Sequence, residues 1–323
     1  PIVIGVTVVA FATSSPEIAV SLDAAVGGKT ELALGNVIGS NIANILLILG
    51  ASAVISSIQV QHRIIWVEVP VMVGITLLVY LLALDQVLGM WDGIVLLLVF
   101  AGFIGFQIYE TLKIKRPSLR TDETEEMSAG KPAWIQGVYT CIGIVLLIFG
   151  AKWLVDSSII LAREWGLSEL IIGLSVIALG TSLPELATSV VAAWKKESDI
   201  SVGNVVGSNI FNLLLVLAIS AMFASGGLKV SSAALSLDFP FLIAVSVACL
   251  PIFFTGHEIA RWEGYLFLSY YVAYMTYLIL DTTQHELLPL FSTVMLLFVA
   301  PITVLTLIIF GYRYRQKMNR TIE

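Results

Sequence analysis

The chain has 323 residues, 58% of them hydrophobic and only 12% charged, with a formal net charge of −6 and a mean hydropathy of +0.95. Soluble domains carry roughly 25% charged residues, so this composition excludes a water-soluble fold. The acidic balance resides mostly in short loops and gives no signal for nucleic-acid binding, and Cys141 and Cys249 fall in separate apolar stretches, as small buried hydrophobes rather than a disulfide framework.

Apolar stretches of about 20 residues recur along the chain, the length of a membrane-crossing helix. Helices rather than short alternating strands must therefore satisfy the backbone. The predicted segments are 2–26, 33–57, 64–84, 90–112, 133–157, 168–195, 200–225, 233–255, 262–281 and 287–311.

The first two segments hold a block that the sixth and seventh repeat. IGVTVVAFATSSPEIAVSLDAA from Ile4 matches IGLSVIALGTSLPELATSVVAA from Ile172, and LGNVIGSNIANILLILGAS from Leu34 matches VGNVVGSNIFNLLLVLAIS from Val202, at a constant offset without a gap. Further on, Glu68-Val69-Pro70 resembles Asp238-Phe239-Pro240, and Trp91-Asp92-Gly93 resembles Trp262-Glu263-Gly264, so four consecutive helices are duplicated. Between the copies, KIKRPSLRTDETEEMSAGKP is charged and lacks apolar periodicity, as expected of a solvated linker.

The expected organisation is a first repeat half over 1–112, a linker over 113–132, a second half over 133–281, and an extra helix with a basic tail over 282–323. The helix at 133–157 precedes the second copy; its counterpart is expected upstream of Pro1, making the chain a fragment on this reading. Equivalent helices are then an odd number of crossings apart. The copies are therefore inverted in the membrane, an arrangement that puts a transport site at the midplane. With the linker cytoplasmic, Arg63, Lys195, Lys196, Arg261, Arg313, Arg315, Lys317 and Arg320 share its side, leaving Lys29, Lys152, Arg163 and Lys229 for the other. The fold class is thus an all-α polytopic membrane protein of two inverted-topology repeats, with broken helices meeting at the midplane.

The repeated chemistry lies at two prolines. Pro16 and Pro184 lack an N–H and clash with the carbonyl four residues earlier, so a helix must break there. Irregular backbone at membrane depth is tolerated only beside a cavity or a bound group. The hydroxyls of Thr13, Ser14, Thr181 and Ser182 surround the breaks, and Glu17 and Glu185 follow them directly. An ionisable group inside a membrane helix costs on the order of 3 kcal/mol even on the lenient insertion scale, and packing gives no reason to incur that twice.

The partner motif, Gly35-Asn36-x-x-Gly39-Ser40-Asn41-x-x-Asn44, recurs as Gly203-Asn204-x-x-Gly207-Ser208-Asn209-x-x-Asn212. Ser40 and Asn44 share one helix face, as do Ser208 and Asn212, while the glycine pairs admit a neighbouring backbone. All donors are hard oxygens, which suit Ca2+ and, by the same hardness, Na+, but not zinc or copper. For Asn36, Asn41, Asn204 and Asn209, interhelical hydrogen bonding is an equally good reading. Glu68 and Asp238 suit either a pathway lining or a structural hydrogen bond.

These motifs resemble the calcium/cation antiporter superfamily, whose sodium/calcium exchangers carry two inverted repeats with GTSxPE and GNxxGSNxxN signatures. The first motif here has Ala12 in place of the usual glycine. The resemblance implies Glu17 and Glu185 as central Ca2+ ligands, with the carbonyls of Thr13 and Thr181. It implies Na+ sites shared among Ser14, Ser40, Ser182 and Ser208, with the carbonyls of Ala10 and Ala178, and Asn44 and Asn212 completing the centre. Relatives with potassium-dependent exchange carry an acid at the position of Asn212, so asparagine there argues against a potassium requirement.

The expected function is secondary active exchange of Ca2+ for Na+ by alternating access. An H+/Ca2+ antiporter on the same scaffold and a cation channel are the alternatives. No H-E-x-x-H or P-loop motif suggests an enzyme. No cofactor is expected; the partners are Ca2+, Na+ or H+, and the lipid bilayer, with no nucleic acid and no protein partner indicated. The expected location is the cell membrane, plasma or inner, with the linker and C-terminus cytoplasmic.

Overall fold

The computed structural model describes residues 9–114 and 166–306, with isolated positions between 142 and 164 and at 308. The predicted helix 133–157, nearly all of the linker 113–132 and the basic cluster beyond 311 thus fall outside the described residues, apart from those isolated positions. The helices are α1 (Ala10–Thr13), α2 (Ser15–Val26), α3 (Thr30–Ile55), α4 (Ile64–Asp85), α5 (Met90–Ile114), α6 (Leu170–Thr181), α7 (Leu183–Trp194), α8 (Ser198–Phe223), α9 (Ala234–Phe254), α10 (Arg261–Thr282) and α11 (Leu288–Thr306). Within the described residues, every predicted membrane segment other than 133–157 coincides with one of these helices or with a broken pair. Among the described residues, six helices are long and apolar enough to cross a membrane, and the pair α6–α7, bent by 47°, makes a seventh.

Several helices contain one wide, π-helical turn. In α4, α9 and α11 it covers Ile64–Glu68, Ala234–Asp238 and Met295–Val299, just ahead of Pro70, Pro240 and Pro301, whose rings displace the carbonyl of the preceding turn. Two more, Asn44–Leu49 in α3 and Asn212–Val216 in α8, have no proline at hand and open on the asparagine that ends each GNxxGSNxxN motif.

The inversion of the repeats is visible in four short strands. β1 (Ile58–Gln59) and β2 (Val87–Leu88) flank α4, and their repeat equivalents β3 (Leu228–Lys229) and β4 (Glu258–Ile259) flank α9. β1 pairs antiparallel with β4, and β2 with β3. The two ends of a spanning helix lie at opposite membrane faces, so β1 and its equivalent β3 occupy opposite faces. The side chains follow the same division: Arg261 donates to Ile55 O and the backbone N–H of Gln59 donates to Ser198 Oγ, gathering the loops of Arg63, Lys195, Lys196 and Arg261 at the β1–β4 end. Lys229 lies in the β2–β3 ladder at the other end.

The centre belongs to α3 and α8, whose apolar windows are 78% and 83% buried, against 0% for α11 at the periphery. Within lipid, helices gain little from mutual apolar burial, and close association needs small residues. A Cβ on Gly35 would stand 2.7 Å from Leu170 O, and one on Gly173 would stand 2.7 Å from Leu32 O, so α3 and α6 touch backbone to backbone. Gly50 of α3 meets Gly264 of α10 in the same way, and Gly93 of α5 meets Ala218 of α8 at the repeat-equivalent contact.

Gly173→Leu is therefore expected to destabilise the solubilised protein by about 1–3 kcal/mol through overpacking, read as a lower unfolding temperature. Gly74→Leu, which would enter open space, should leave that temperature unchanged; equal effects would refute the backbone contact as a determinant of stability.

Candidate functional site

α7 is 12 residues long, about 18 Å, or roughly half the hydrocarbon thickness, so the α6–α7 break falls near mid-membrane. The breaks sit at Ser14 (φ −78°, ψ 5°) and Ser182 (φ −83°, ψ 6°), in nearly the same conformation. Each begins a short helix in which proline occupies the second position and glutamate the third. Proline is tolerated there because the first turn has no internal N–H partner. The glutamate gains from the partial positive charge of the helix N-terminus.

Ser-x-Pro-Glu at a helix start has the pattern of a capping box, in which the serine would bond its own helix. Neither Ser14 nor Ser182 does so. Ser14 Oγ donates to Glu185 Oε1 at 3.2 Å, and Ser182 Oγ donates to Glu17 Oε1 at 3.2 Å. Each broken helix thus lends its cap hydroxyl to the glutamate of the other, and the two carboxylates share one fully buried centre.

The central helices frame this exchange. Thr181 Oγ1 donates to Asn36 Oδ1 at 3.0 Å, and Thr13 Oγ1 donates to Asn204 Oδ1 at 3.2 Å. The amide nitrogens of Asn36 and Asn204 hold Ser21 Oγ and Ser189 Oγ, at 2.8 and 2.9 Å. Asn36 and Asn204 therefore tie the broken helices to α3 and α8, the bonding role left open from sequence.

Two features break the symmetry. Ser208 Oγ donates to Glu185 Oε1 at 3.3 Å, whereas Ser40 Oγ lies 3.5 Å from Asn36 Oδ1 and 3.4 Å from Thr181 Oγ1. Asn44 Nδ2 donates to Asn209 Oδ1 at 2.9 Å, while Asn212 and Asn41, the equivalent pair, do not meet, and both side-chain polar atoms of Asn212 are unpartnered.

The acceptors left open define what the centre can hold. Glu17 Oε2, Glu185 Oε2, Asn44 Oδ1 and Asn212 Oδ1 are buried and without a partner. Buried polar oxygens are ordinarily satisfied, and open ones on both repeated glutamates and on both motif-ending asparagines point to a bound group. Two negative and two neutral hard oxygens suit an alkali or alkaline-earth cation. The carbonyls of Ala10 and Ala178 behave differently from the other predicted donors: each already accepts the backbone N–H of the break serine, at 2.9 and 3.1 Å, and the neighbouring threonine hydroxyl at 3.3 and 3.4 Å.

A second pair of buried acids lies outside this centre. Glu68 is held by Arg63 Nε at 3.2 Å and by Gln107 Nε2 at 2.9 Å, with Arg63 also bonded to Gln107. Asp238, at the equivalent position, accepts from Tyr274 OH at 3.1 Å. Both therefore make structural hydrogen bonds. Gln107 and Tyr274 gave no signal in sequence, and Arg63 only one for orientation, because none of them belongs to a repeated motif.

Replacing Asn204 by leucine should strand the hydroxyl of Ser189, at about 1–3 kcal/mol for a stranded buried group, while Thr13 Oγ1 keeps the carbonyls of Val9 and Ala10. The unfolding temperature should fall more than for Asn41→Leu, whose Oδ1 is already unpartnered; the reverse order would show that the Asn204 network does not bind the halves together.

The family model described as sodium/calcium exchanger protein matches residues 1–109 and 135–280. Sodium/calcium exchanger MaX1 of Methanosarcina acetivorans is 30% identical over 85% of this chain and 88% of its own length. Inner membrane protein YrbG of Escherichia coli is 35% identical over 76% of each chain. Among solved structures, the sodium-calcium exchanger NCX_Mj, soaked with Na+ and Sr2+, superposes with a TM-score of 0.67 at 31% identity, covering 84% of both chains.

Proposed function

This chain belongs to the sodium/calcium exchanger protein family, and from that premise we propose that it exchanges Ca2+ for Na+ across the membrane at the centre formed by Glu17 and Glu185. It is a multi-pass membrane transporter rather than an enzyme. The observation that carries the proposal is the pair of buried carboxylates, each with one open oxygen, beside the open amide oxygens of Asn44 and Asn212. The two negative charges match one Ca2+ or two monovalent ions.

Coupling follows from competition for shared oxygens. Ser14 and Ser182 each bond a glutamate directly, so a Na+ ion drawn to a serine hydroxyl meets the carboxylate that Ca2+ requires. Thr13, Thr181, Ser40 and Ser208 complete the Na+ and Ca2+ shells as neutral donors, and carbonyls of Ala10 and Ala178 join once the break loosens. Alternating access would come from α1–α2 and α6–α7 shifting against α3 and α8. Without a cation that shift must carry two buried, uncompensated carboxylates from one face to the other, at a cost of several kcal/mol. The crossing then occurs only in the loaded protein, which is the condition for exchange rather than leak. By the Lys and Arg asymmetry, the β1–β4 end, the linker 113–132 and the C-terminus face the cytoplasm.

In proteoliposomes at fixed pH, an imposed Na+ gradient is expected to drive Ca2+ uptake, and Glu185→Gln to abolish it. Uptake that follows a pH gradient and ignores Na+ would assign proton exchange, and Ca2+ flux without any counter-ion would assign a channel. Binding is checked separately. Ca2+ at about a hundred times its dissociation constant should stabilise the protein by ~2.7 kcal/mol, and Glu17→Gln should remove most of that gain in unfolding temperature; an undiminished gain would place Ca2+ elsewhere.

A further inference from the structure

Two buried hydroxyls take no part in the network around the glutamates. Ser52 on α3 and Ser220 on α8 are repeat equivalents, 0% and 1% exposed, and neither Oγ has a hydrogen-bond partner. Serine and threonine within a helix commonly turn back to the carbonyl one turn earlier, as Ser175 does to Ile171 O at 2.6 Å and Thr76 to Met72 O at 2.8 Å. An unsatisfied buried hydroxyl costs about 1–3 kcal/mol. Packing alone gives no reason for that cost to recur at both equivalent positions.

The π-helical turns decide where these hydroxyls point. Eight residues separate Asn44 from Ser52, which on an unbroken α-helix places them about 80° apart. The extra residue absorbed by the π turn over Asn44–Leu49 brings Ser52 back to within about 20° of Asn44. The π turn over Asn212–Val216 aligns Ser220 with Asn212 in the same way. Each hydroxyl thus stands about 10 Å along the axis from its asparagine, on the site-facing side of the helix.

The opposite side of each helix is occupied, since Gly50 meets Gly264 of α10 and Ala218 meets Gly93 of α5. Ser52 and Ser220 lie two residues farther on, about 200° around. There the last turns of α3 pack on α7, and those of α8 pack on α2. The buried faces of α7 and α2 beyond their glutamates carry small side chains, Ala192 and Ala193 on α7 and Ala24 and Ala25 on α2, with Ser189 and Ser21 held by Asn204 of α8 and Asn36 of α3. α7 leads from its glutamate to the β1–β4 face, where Ser198 meets Gln59, and α2 leads to the β2–β3 face, where α3 begins beside β3.

We propose that these two seams are the access routes of the central cation site, one to each membrane face, and that Ser52 and Ser220 are the hydroxyls a partly dehydrated cation and its water meet on the way. The proposal rests on the exchange reading for the nature of what travels, and on the geometry for its route. Small side chains leave the seams easy to part, and the hydroxyls replace hydration as water is shed.

The test uses the full chain in proteoliposomes of uniform orientation, with Cys141→Ser and Cys249→Ala as background. Ser52→Cys and Ser220→Cys are compared with Ala53→Cys, whose side chain packs on Gly264. A membrane-impermeant methanethiosulfonate is added to one side at a time. The two serine-position cysteines are expected to react from opposite faces, each about tenfold faster than Ala53→Cys, because thiol modification follows access. Reaction of both from one face, or of neither above the control in protein that still exchanges Ca2+, overturns the proposal. Ser52→Ala and Ser220→Ala provide a second readout: exchange should slow several-fold while thermal protection by Ca2+ is retained. Unchanged exchange in both overturns it equally. Opposite-face labelling of the cysteine variants, together with an unsubstituted chain that fails to exchange Ca2+ for Na+, counts against the exchange reading and leaves the routes standing.

Discussion

The structure turns on the crossed bonds from Ser14 to Glu185 and from Ser182 to Glu17. A serine at a helix start ordinarily satisfies its own first turn. Here each one satisfies the other repeat, so neither half has a complete cap alone. This requires the two breaks to meet at one depth, which inversion about the membrane plane provides. It also requires close backbone approach, which Gly35 and Gly173 allow at the α3–α6 contact. The crossed bonds engage one oxygen of each carboxylate and leave the other open, so the same interaction joins the halves and leaves one acceptor of each glutamate free at the centre.

Departures from symmetry bear on function as much as the symmetry does. Ser208 reaches Glu185 but Ser40 turns away from Glu17, and Asn44 holds Asn209 while Asn212 is unpartnered. Away from the centre, Glu68 has a basic partner in Arg63 where Asp238 has a tyrosine hydroxyl. Two halves that were identical in structure would present the site equally to both faces. Exchange by alternating access requires them to differ at any moment, and these contacts are where they differ here.

Much of this was legible in the sequence, because lipid narrows the choices. Apolar runs must be helices, a proline must break one, and a glutamate placed twice at the same point of a duplicated motif requires a ligand or a purpose beyond packing. The spans, the duplicated breaks and the oxygen-rich donor set follow from such local rules. Gly35-x-x-x-Gly39 announced a close contact, though not that α6 would fill it. The wide turns at Asn44 and Asn212 had no proline to announce them, and they control which later residues share the site-facing side.

The sequence by itself determined a membrane-spanning all-helical protein, two related halves, and the hard-oxygen residues gathered around Pro16 and Pro184, since each depends on composition or on neighbours within one helix. Only the tertiary structure decided that the cap serines serve the opposite glutamates, that Asn36 and Asn204 link the halves while Asn212 is left open, and that the alanine carbonyls are already engaged. These are partnerships between residues more than a hundred positions apart or competitions among acceptors within reach of one hydroxyl. Their outcome is settled by distance and angle in the packed core, which no local pattern encodes.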